Sequence, residues 1–387
     1  MRVFETDADE RQLFPKLINC ELSTFRLPTD TPNPRTPRRP NLPRSDEFMR
    51  NFDAHSVYFD CFWHKNDDVM LIGPAPTNHK KSYKKAEFYA LPSRKKLSTK
   101  HHFSLSIMSS LLRNVPRCTT EIELVFDGIR ETLKVQRSLA DEFSGKNILF
   151  TLSKNNDLNW IRFWADYHVR HHGVNAVVIF DNGSSSYTTK EIESTLSTVQ
   201  GLDAYTVISV PFPYGFKDEV LKTNPYWPQF LQMFCMSLVL RRFAPDANTI
   251  INMDIDELAF GNGESVCDLA KSSDMGLLSM KGKWVEAIPS EGEDFGDHRD
   301  YRTIRSDPKA AHCLAGKWVL DPSRKWVKNL RVFPYMHWIE RRALLGRRYI
   351  DGVFFWHFRA INTNWKTNRA KVIPFDPALH ERHSVDY

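Results

Sequence analysis

Apolar and polar positions change rhythm twice along this chain. Residues 26–44, R-L-P-T-D-T-P-N-P-R-T-P-R-R-P-N-L-P-R, keep no apolar period. Proline at that density excludes a helix or a central strand, so residues 1–48 read as a Pro/Arg-rich arm or solvated linker. From Ser56 short apolar runs take over: V-Y-F-D-C-F-W, V-M-L-I-G, A-E-F-Y-A-L and E-I-E-L-V-F, parted by turn-rich pieces such as G-P-A-P-T-N. Evenly spaced short runs with polar turns predict a small basic β-rich domain over residues 49–142. Beyond Gly145 the order becomes strand, helix, strand, the mark of a mainly parallel sheet. That region, residues 145–375, is followed by a short tail, 376–387.

Within the third region the elements follow one by one. N-I-L-F-T-L (147–152) is a buried strand. Trp160, Phe163, Trp164 and Tyr167 recur at helical spacing and form the buried face of a helix that Gly173 ends. His168, His171 and His172 at that end suit structural roles, where positive charge complements the helix dipole. A-V-V-I-F is a second strand, closing in Asp181-Asn182-Gly183-Ser184. Residues 191–199 predict a helix, 204–211 a third strand and 229–243 another helix. Two βα units thus precede the strand T-I-I-N (249–252). The fold class is α/β, a Rossmann-like, mainly parallel sheet between helices, with ligands expected at the carboxyl ends of its strands.

That edge carries the densest chemistry. Asp254, Asp256 and Glu257 follow the strand at once. Residues two apart on an extended chain point the same way, so Asp254 and Asp256 converge on one object. Carboxylates so close repel unless a cation lies between them. Oxygen ligands suit Mg2+ or Mn2+. The other reading is an acidic turn that caps the next element.

Composition narrows the partners. Apolar residues at 41% and charged residues at 26% are those of a globular chain, and 387 residues suffice for two or three domains. The net charge of +6 lies mostly in the first hundred residues and suits an anionic partner: nucleotide phosphates, a membrane surface or nucleic acid. Tyr83 in K-K-S-Y-K-K could stack on a base, but a solvated hairpin face is the simpler reading, and nucleic acid is not expected. Six cysteines without a C-x-x-C pair argue against a zinc site or a disulfide framework and favour reducing cytosol. M-R-V-F-E-T-D-A-D-E lacks the apolar core of a secretory signal. No run nears the ~18 apolar residues of a spanning helix. A cytoplasmic protein is expected, with association at the inner face of a membrane left open.

Three separated stretches carry a resemblance. The first is T-L-S-K-N-N-D-L-N-W-I-R-F-W-A-D-Y-H-V-R-H-H-G-V-N-A-V-V-I-F-D-N-G-S-S-S, with Lys154, Asn155, Trp164, Tyr167, His168, Gly173, Asp181, Asn182 and Ser184 as matching positions. The second is M-D-I-D-E-L-A-F and the third F-F-W-H-F-R-A. In order and spacing they resemble GT-A-fold glycosyltransferases related to families 2 and 92, the domain-of-unknown-function-23-like group. Those show a K-N-E-like turn, a W-x-x-Y-H helix, D-N-x-S, D-x-D-E-F and a late H-Y-R. The resemblance covers about residues 147–370. The chain departs from it at Asn156, where the family has glutamate, at Ser186, near its closing aspartate, and at Leu258, in place of an aromatic residue. These departures bear on nucleotide contacts more than on class.

The resemblance implies transfer of a sugar from a nucleotide-diphosphate donor to a glycan or lipid-linked acceptor. The outcome would be inverting, in assembly of cell-surface polysaccharide or lipopolysaccharide. Mn2+ or Mg2+ held by Asp254, Asp256 and His357 would offset charge on the leaving diphosphate. Glu257 would cap or orient. Lys154, Asn155, Asp181 and Asp254 would contact the nucleotide, although D-N-G is also a good turn by itself. His357 also reads as a packed core residue, and His337 is its rival as ligand. An inverting transfer needs a general base. Asp294, with Glu293 beside it in P-S-E-G-E-D-F-G-D-H-R, is the choice by analogy, a solvated acidic loop being the other reading. Lys317, Arg324, Lys325 and Lys328 could hold the diphosphate, and Trp318 or Trp326 could stack on an acceptor sugar. Two further classes stay open: a metal-dependent nucleotidyl or phosphoryl transferase, and a non-catalytic sugar-binding relative. The first lacks a lysine-bearing Gly-rich loop.

Overall fold

The structure, a computed structural model, describes residues 14–65, 67–216, 218–221, 228–288, 296–340, 349–363, 373–384 and 387. Among them a nine-stranded mixed sheet forms the centre. In chain order its strands are β1 (Lys16–Leu17), β2 (Asn147–Ser153), β3 (Ala176–Asp181), β4 (Ala204–Ser209), β5 (Thr249–Asn252), β6 (Glu257–Phe260), β7 (Leu277–Val285), β8 (His312–Leu320) and β9 (Phe354–Phe358). Across the sheet they run β1-β4-β3-β2-β5-β8-β7-β9-β6. The pairings from β1 to β5 are parallel, as is β7 with β9. Those of β5 with β8, β8 with β7 and β9 with β6 are antiparallel.

The central strands read as unbroken apolar runs because both faces are covered. Ile148 and Phe150 of β2 point into one core with Phe230, Phe234 and Phe243. Leu149 points into the other, against Ile161, Trp164 and Tyr167 of helix α1 (Leu158–His172). Each such large apolar side chain, once buried, contributes about 1.5–3 kcal/mol. Asp157 caps α1 by accepting the Asn159 N–H at 2.8 Å. Gly173 ends it at φ 62°, a left-handed conformation that glycine takes without a Cβ clash. Helix α2 (Thr189–Ser197) follows β3 as expected.

The helix predicted over 229–243 is α-helical only as α3 (Phe230–Leu238) and widens to a π turn over Val239–Phe243. Two adjacent buried arginines explain why that form fits. Arg241 donates to the carbonyls of Val327, Asn329 and Val332 at 3.0, 2.9 and 2.7 Å. Arg242 turns elsewhere, to Asp60 at 2.8 Å in a fully buried ion pair. That pair ties the sheet's helical layer to the preceding β-rich region.

The β-rich region holds two four-stranded antiparallel sheets, 60–63/69–74/107–112/99–103 and 129–134/121–126/87–91/95–96. Val69 and Leu71 face the core between them, while Met70 and Ile72 face α3 with Phe59 and Phe62. K-K-S-Y-K-K is a short helix, Lys80–Lys85, rather than a hairpin face. Tyr83 is fully buried there and donates its hydroxyl to the Val57 carbonyl at 2.7 Å, so it cannot stack on a base.

The arm is not a solvated linker over its described residues. β1 adds an edge strand to the large sheet, and Phe25–Arg26 pairs with Ser56–Tyr58. Arg35 is buried and donates to the carbonyls of Ala75 and Ser56 at 2.9 and 2.8 Å. Arg44 pairs with Asp218 at 2.9 Å, both buried. Backbone carbonyls and one carboxylate thus bring arginines inside that composition alone assigns to solvent. At the other end His380–Arg382 pairs with Thr303–Arg305, and Tyr387 packs on Trp356 and Phe358. Among the described residues no helix is long and apolar enough to cross a membrane.

Candidate metal centre

The acidic segment is a turn between β5 and β6, closed by the Glu257 N–H donating to the Asp254 carbonyl at 3.0 Å. Met253 and Ile255 are buried beneath it, while Asp254 and Asp256 stay partly exposed. α1 pins the far side. Tyr167 donates its hydroxyl to the Ala259 carbonyl at 2.7 Å, and His172 Nε2 meets the same oxygen at 2.8 Å. The Ala259 N–H donates to His168 Nε2 at 3.3 Å. From the loop after β7, His298 Nε2 donates to the Ile255 carbonyl at 2.7 Å.

His168 and His172 are structural, as expected, and His298 joins them from outside the helix; burial favours the neutral ring in all three. Burial holds His168 well below the usual imidazole range and brings His172 and His298 down to about 4. Desolvation against the acid-bearing turn outweighs the helix dipole. A group whose folded pKa lies below its unfolded value contributes stability above the unfolded pKa of about 6.5 and loses it as pH falls toward the folded one. His172 and His298 should therefore each remove on the order of 2 kcal/mol by pH 5. Urea denaturation at pH 7 and pH 5 checks this. The loss should shrink in His298→Gln, and an equal loss in that variant would dismiss His298 as a cause.

The three acids have different partners. Lys317, on β8 and 1% exposed, places its ammonium 3.0 Å from Asp254 Oδ2 and 2.8 Å from Glu257 Oε2. Glu257 Oε2 also accepts the Asp254 N–H at 2.9 Å, so it caps the turn. Burial raises the Glu257 carboxyl and works against the Lys317 ammonium. Their contact offsets this, and with Asp254 the lysine is held above its ordinary range. Asp256 instead faces His357 of β9, Oδ2 to Nε2 at 3.1 Å. Burial opposes a proton on His357, yet Asp256 and Glu257 bring its pKa up to about 10.

Asp254, expected beside Asp256 as a ligand, has the Lys317 ammonium as a cation partner. Among the described residues the ligand atoms that gather, all within 4.8 Å of one another, are those of Asp256, Glu257 and His357.

The His357 ring is fixed from outside. Trp284 of β7 stacks on it, centroids 4.1 Å apart and planes at 25°. The Arg359 guanidinium lies 4.1 Å from the Trp284 ring, and Glu286 holds Arg359 at 3.2 Å and Arg305 at 3.3 Å. Cys313 Sγ is 3.6 Å from His357 Nδ1. Gly282 lets these strands close up, since a Cβ there would sit 2.7 Å from both Cys313 Cβ and the Phe355 ring. Trp284 and Cys313 carried no signal in the sequence, because the ring they meet lies 73 and 44 residues further along the chain.

The expected nucleotide contacts occupy the neighbouring strand ends. Asp181 is buried and accepts both the N–H, at 3.1 Å, and the hydroxyl of Ser184, the geometry of a D-N-G turn. Asn155, at φ 55°, links the two loops: its N–H donates to Ser184 Oγ at 2.8 Å, and its Oδ1 accepts the Ser185 and Ser186 N–H groups at 2.7 and 3.1 Å. Lys154 is half-buried beside it, its carbonyl accepting from Thr363 Oγ1 at 3.3 Å. Glu293 and Asp294 lie outside the described residues.

His337 bonds the Gly316 carbonyl at 2.8 Å and is not in the ligand group. Of the basic residues offered for a diphosphate, Lys317 is buried with the acids and Arg324 pairs with Asp321 at 2.8 Å, while Lys325 and Lys328 are exposed. Trp318 is buried, and Trp326 donates to the Met275 carbonyl at 2.9 Å. No protein-family model matches the chain, and no curated protein matches it.

Proposed function

We propose that this chain is a metal-dependent glycosyltransferase with the GT-A arrangement, moving a sugar from a nucleotide-diphosphate donor to a glycan or lipid-linked acceptor. The observation that carries the reading is His357 meeting Asp256 at 3.1 Å across 101 residues of chain. An acidic turn at a strand's carboxyl end, with a late histidine brought against it, is what the resemblance implies. The parallel run β4-β3-β2-β5 with antiparallel β8 beside β5 supports the same reading.

The donor set fits one hard divalent ion once His357 gives up the proton that Asp256 holds on it: two carboxylates and an imidazole whose ligand atoms lie within 4.8 Å. Asp256, Glu257 and His357 would hold Mn2+ or Mg2+, which when bound supplies positive charge to a leaving diphosphate. The chain's own residues do the rest. Lys317 bridges Asp254 and Glu257 and offsets their mutual repulsion, and Trp284 with Arg359 fixes the imidazole plane. Asp254, whose side chain is 32% exposed, presents a carboxylate edge to accept a ribose hydroxyl. Asp294 or Glu293 would take the acceptor proton.

The test is thermal. The melting point should rise only when Mn2+ and a nucleoside diphosphate are present together. At a ligand concentration near 100 times Kd the gain is about 2.7 kcal/mol. If uridine, guanosine, cytidine and adenosine diphosphates all leave the melting point unmoved with Mn2+, the proposal falls.

A further inference from the structure

Beside this centre the fold holds one indole rigid and leaves it open. Pro334 and Ile339 form an antiparallel bridge, and the Tyr335 N–H donates to the Trp338 carbonyl at 2.8 Å, closing a hairpin. The sheet grips it: Asn252 Nδ2 donates to the Met336 carbonyl at 2.8 Å, and the Trp318 indole N–H to the Tyr335 carbonyl at 2.6 Å. The β-rich region grips it too, through Ser104 Oγ, which meets the Tyr335 hydroxyl at 2.6 Å and the Glu340 carboxylate. Trp338 stacks on Tyr335 with centroids 5.3 Å apart and planes at 9°, and 40% of it remains exposed. One face of the indole packs on Tyr335, and the rest of its exposed surface is left to solvent.

The next residue back supplies polar chemistry. His337 Nδ1 faces the Gly316 carbonyl, an acceptor only, so Nδ1 carries the hydrogen and Nε2 of the neutral ring is left as an acceptor. The His337 and Trp338 rings lie 6.5 Å apart. Gly316 precedes Lys317, which holds Asp254, and His337 feels the charges of Lys317, Asp254 and His357. The hairpin therefore stands within electrostatic reach of the acidic turn.

We infer that Trp338 and His337 form a saccharide subsite, with the indole taking the C–H face of a pyranose and His337 Nε2 accepting one of its hydroxyls. Its role as the acceptor subsite rests on the proposed sugar transfer. A flat indole face beside a hydrogen-bonding imidazole matches a sugar. A lipid surface would ask for a larger continuous apolar patch. Trp318 and Trp326, the indoles first considered for this role, spend their N–H groups inside the protein.

Saturation-transfer NMR on the full chain with diamagnetic Mg2+ tests the inference, using methyl β-glucopyranoside, methyl β-galactopyranoside, methyl α-mannopyranoside and uridine as probes. At least one glycoside should receive saturation, strongest at the C–H protons of one face. Trp338→Ala should weaken it about tenfold, and Trp338→Phe, which keeps a flat ring, by no more than about threefold. An unaltered nucleotide-dependent melting shift in Trp338→Ala shows that the fold and donor site are intact. Silence from every glycoside, equal affinity in Trp338→Ala, or displacement of the glycoside by uridine would overturn the subsite. Glycoside binding through Trp338 without any nucleotide shift would leave the subsite standing and remove sugar transfer. The reverse result would remove the subsite alone.

Discussion

Asp256→Ala should abolish the Mn2+-dependent part of any nucleotide-induced stabilisation and lower donor turnover by about 10²–10³-fold. Of the three acids in the turn, Asp256 is the one for which no contact with Lys317 is seen, since the ammonium sits on Asp254 and Glu257. It is also the acid that meets His357. Removing it takes one of three gathered donors and leaves a glutamate already engaged by lysine. Asp256→Asn is the sharper comparison, because it keeps the shape and loses the charge that a hard cation needs. Melting curves with Mn2+ and nucleoside diphosphate, followed by donor hydrolysis, measure both effects. A full Mn2+-dependent shift in Asp256→Ala would remove this residue from the site.

Lys317→Met carries the largest expected cost to stability, about 3–5 kcal/mol. Methionine matches the lysine stem in length, so the effect isolates the charge. Glu257, 2% exposed, would lose its cation while remaining beside Asp254. Two neighbouring carboxylates without it either repel or take up a proton. Adding Glu257→Gln should recover much of the loss, because the amide oxygen still accepts the Asp254 N–H and no buried charge is left. Urea denaturation of both variants decides the matter. If Lys317→Met stays within about 1 kcal/mol of the parent, the lysine does not organise the turn.

Much of the large sheet was legible because both its faces are buried. Strands β2 to β5 and helix α1 announce themselves through continuous apolar runs or a helical period, and Gly173 marks the end of α1. The arm was not legible. Proline density predicts a missing helix but says nothing about where arginines go, and Arg35 and Arg44 find carbonyls and a carboxylate far along the chain. The neutral state of His172 and His298 was equally hidden, since it follows from burial against the acidic turn.

The site divides along the same line. The order of residues alone determined that carboxylates follow a buried strand and that a histidine stands on a late apolar one, since strand period and local charge are properties of neighbours in the chain. Only the tertiary structure decided their roles. Lys317 comes 60 residues after Glu257 and claims two of the three acids, leaving Asp256 to His357. Trp284 gains its place by stacking on His357 from another strand. Such pairings depend on which side chains the sheet brings within a few ångströms, and Coulomb and stacking energies act over that distance regardless of separation along the chain.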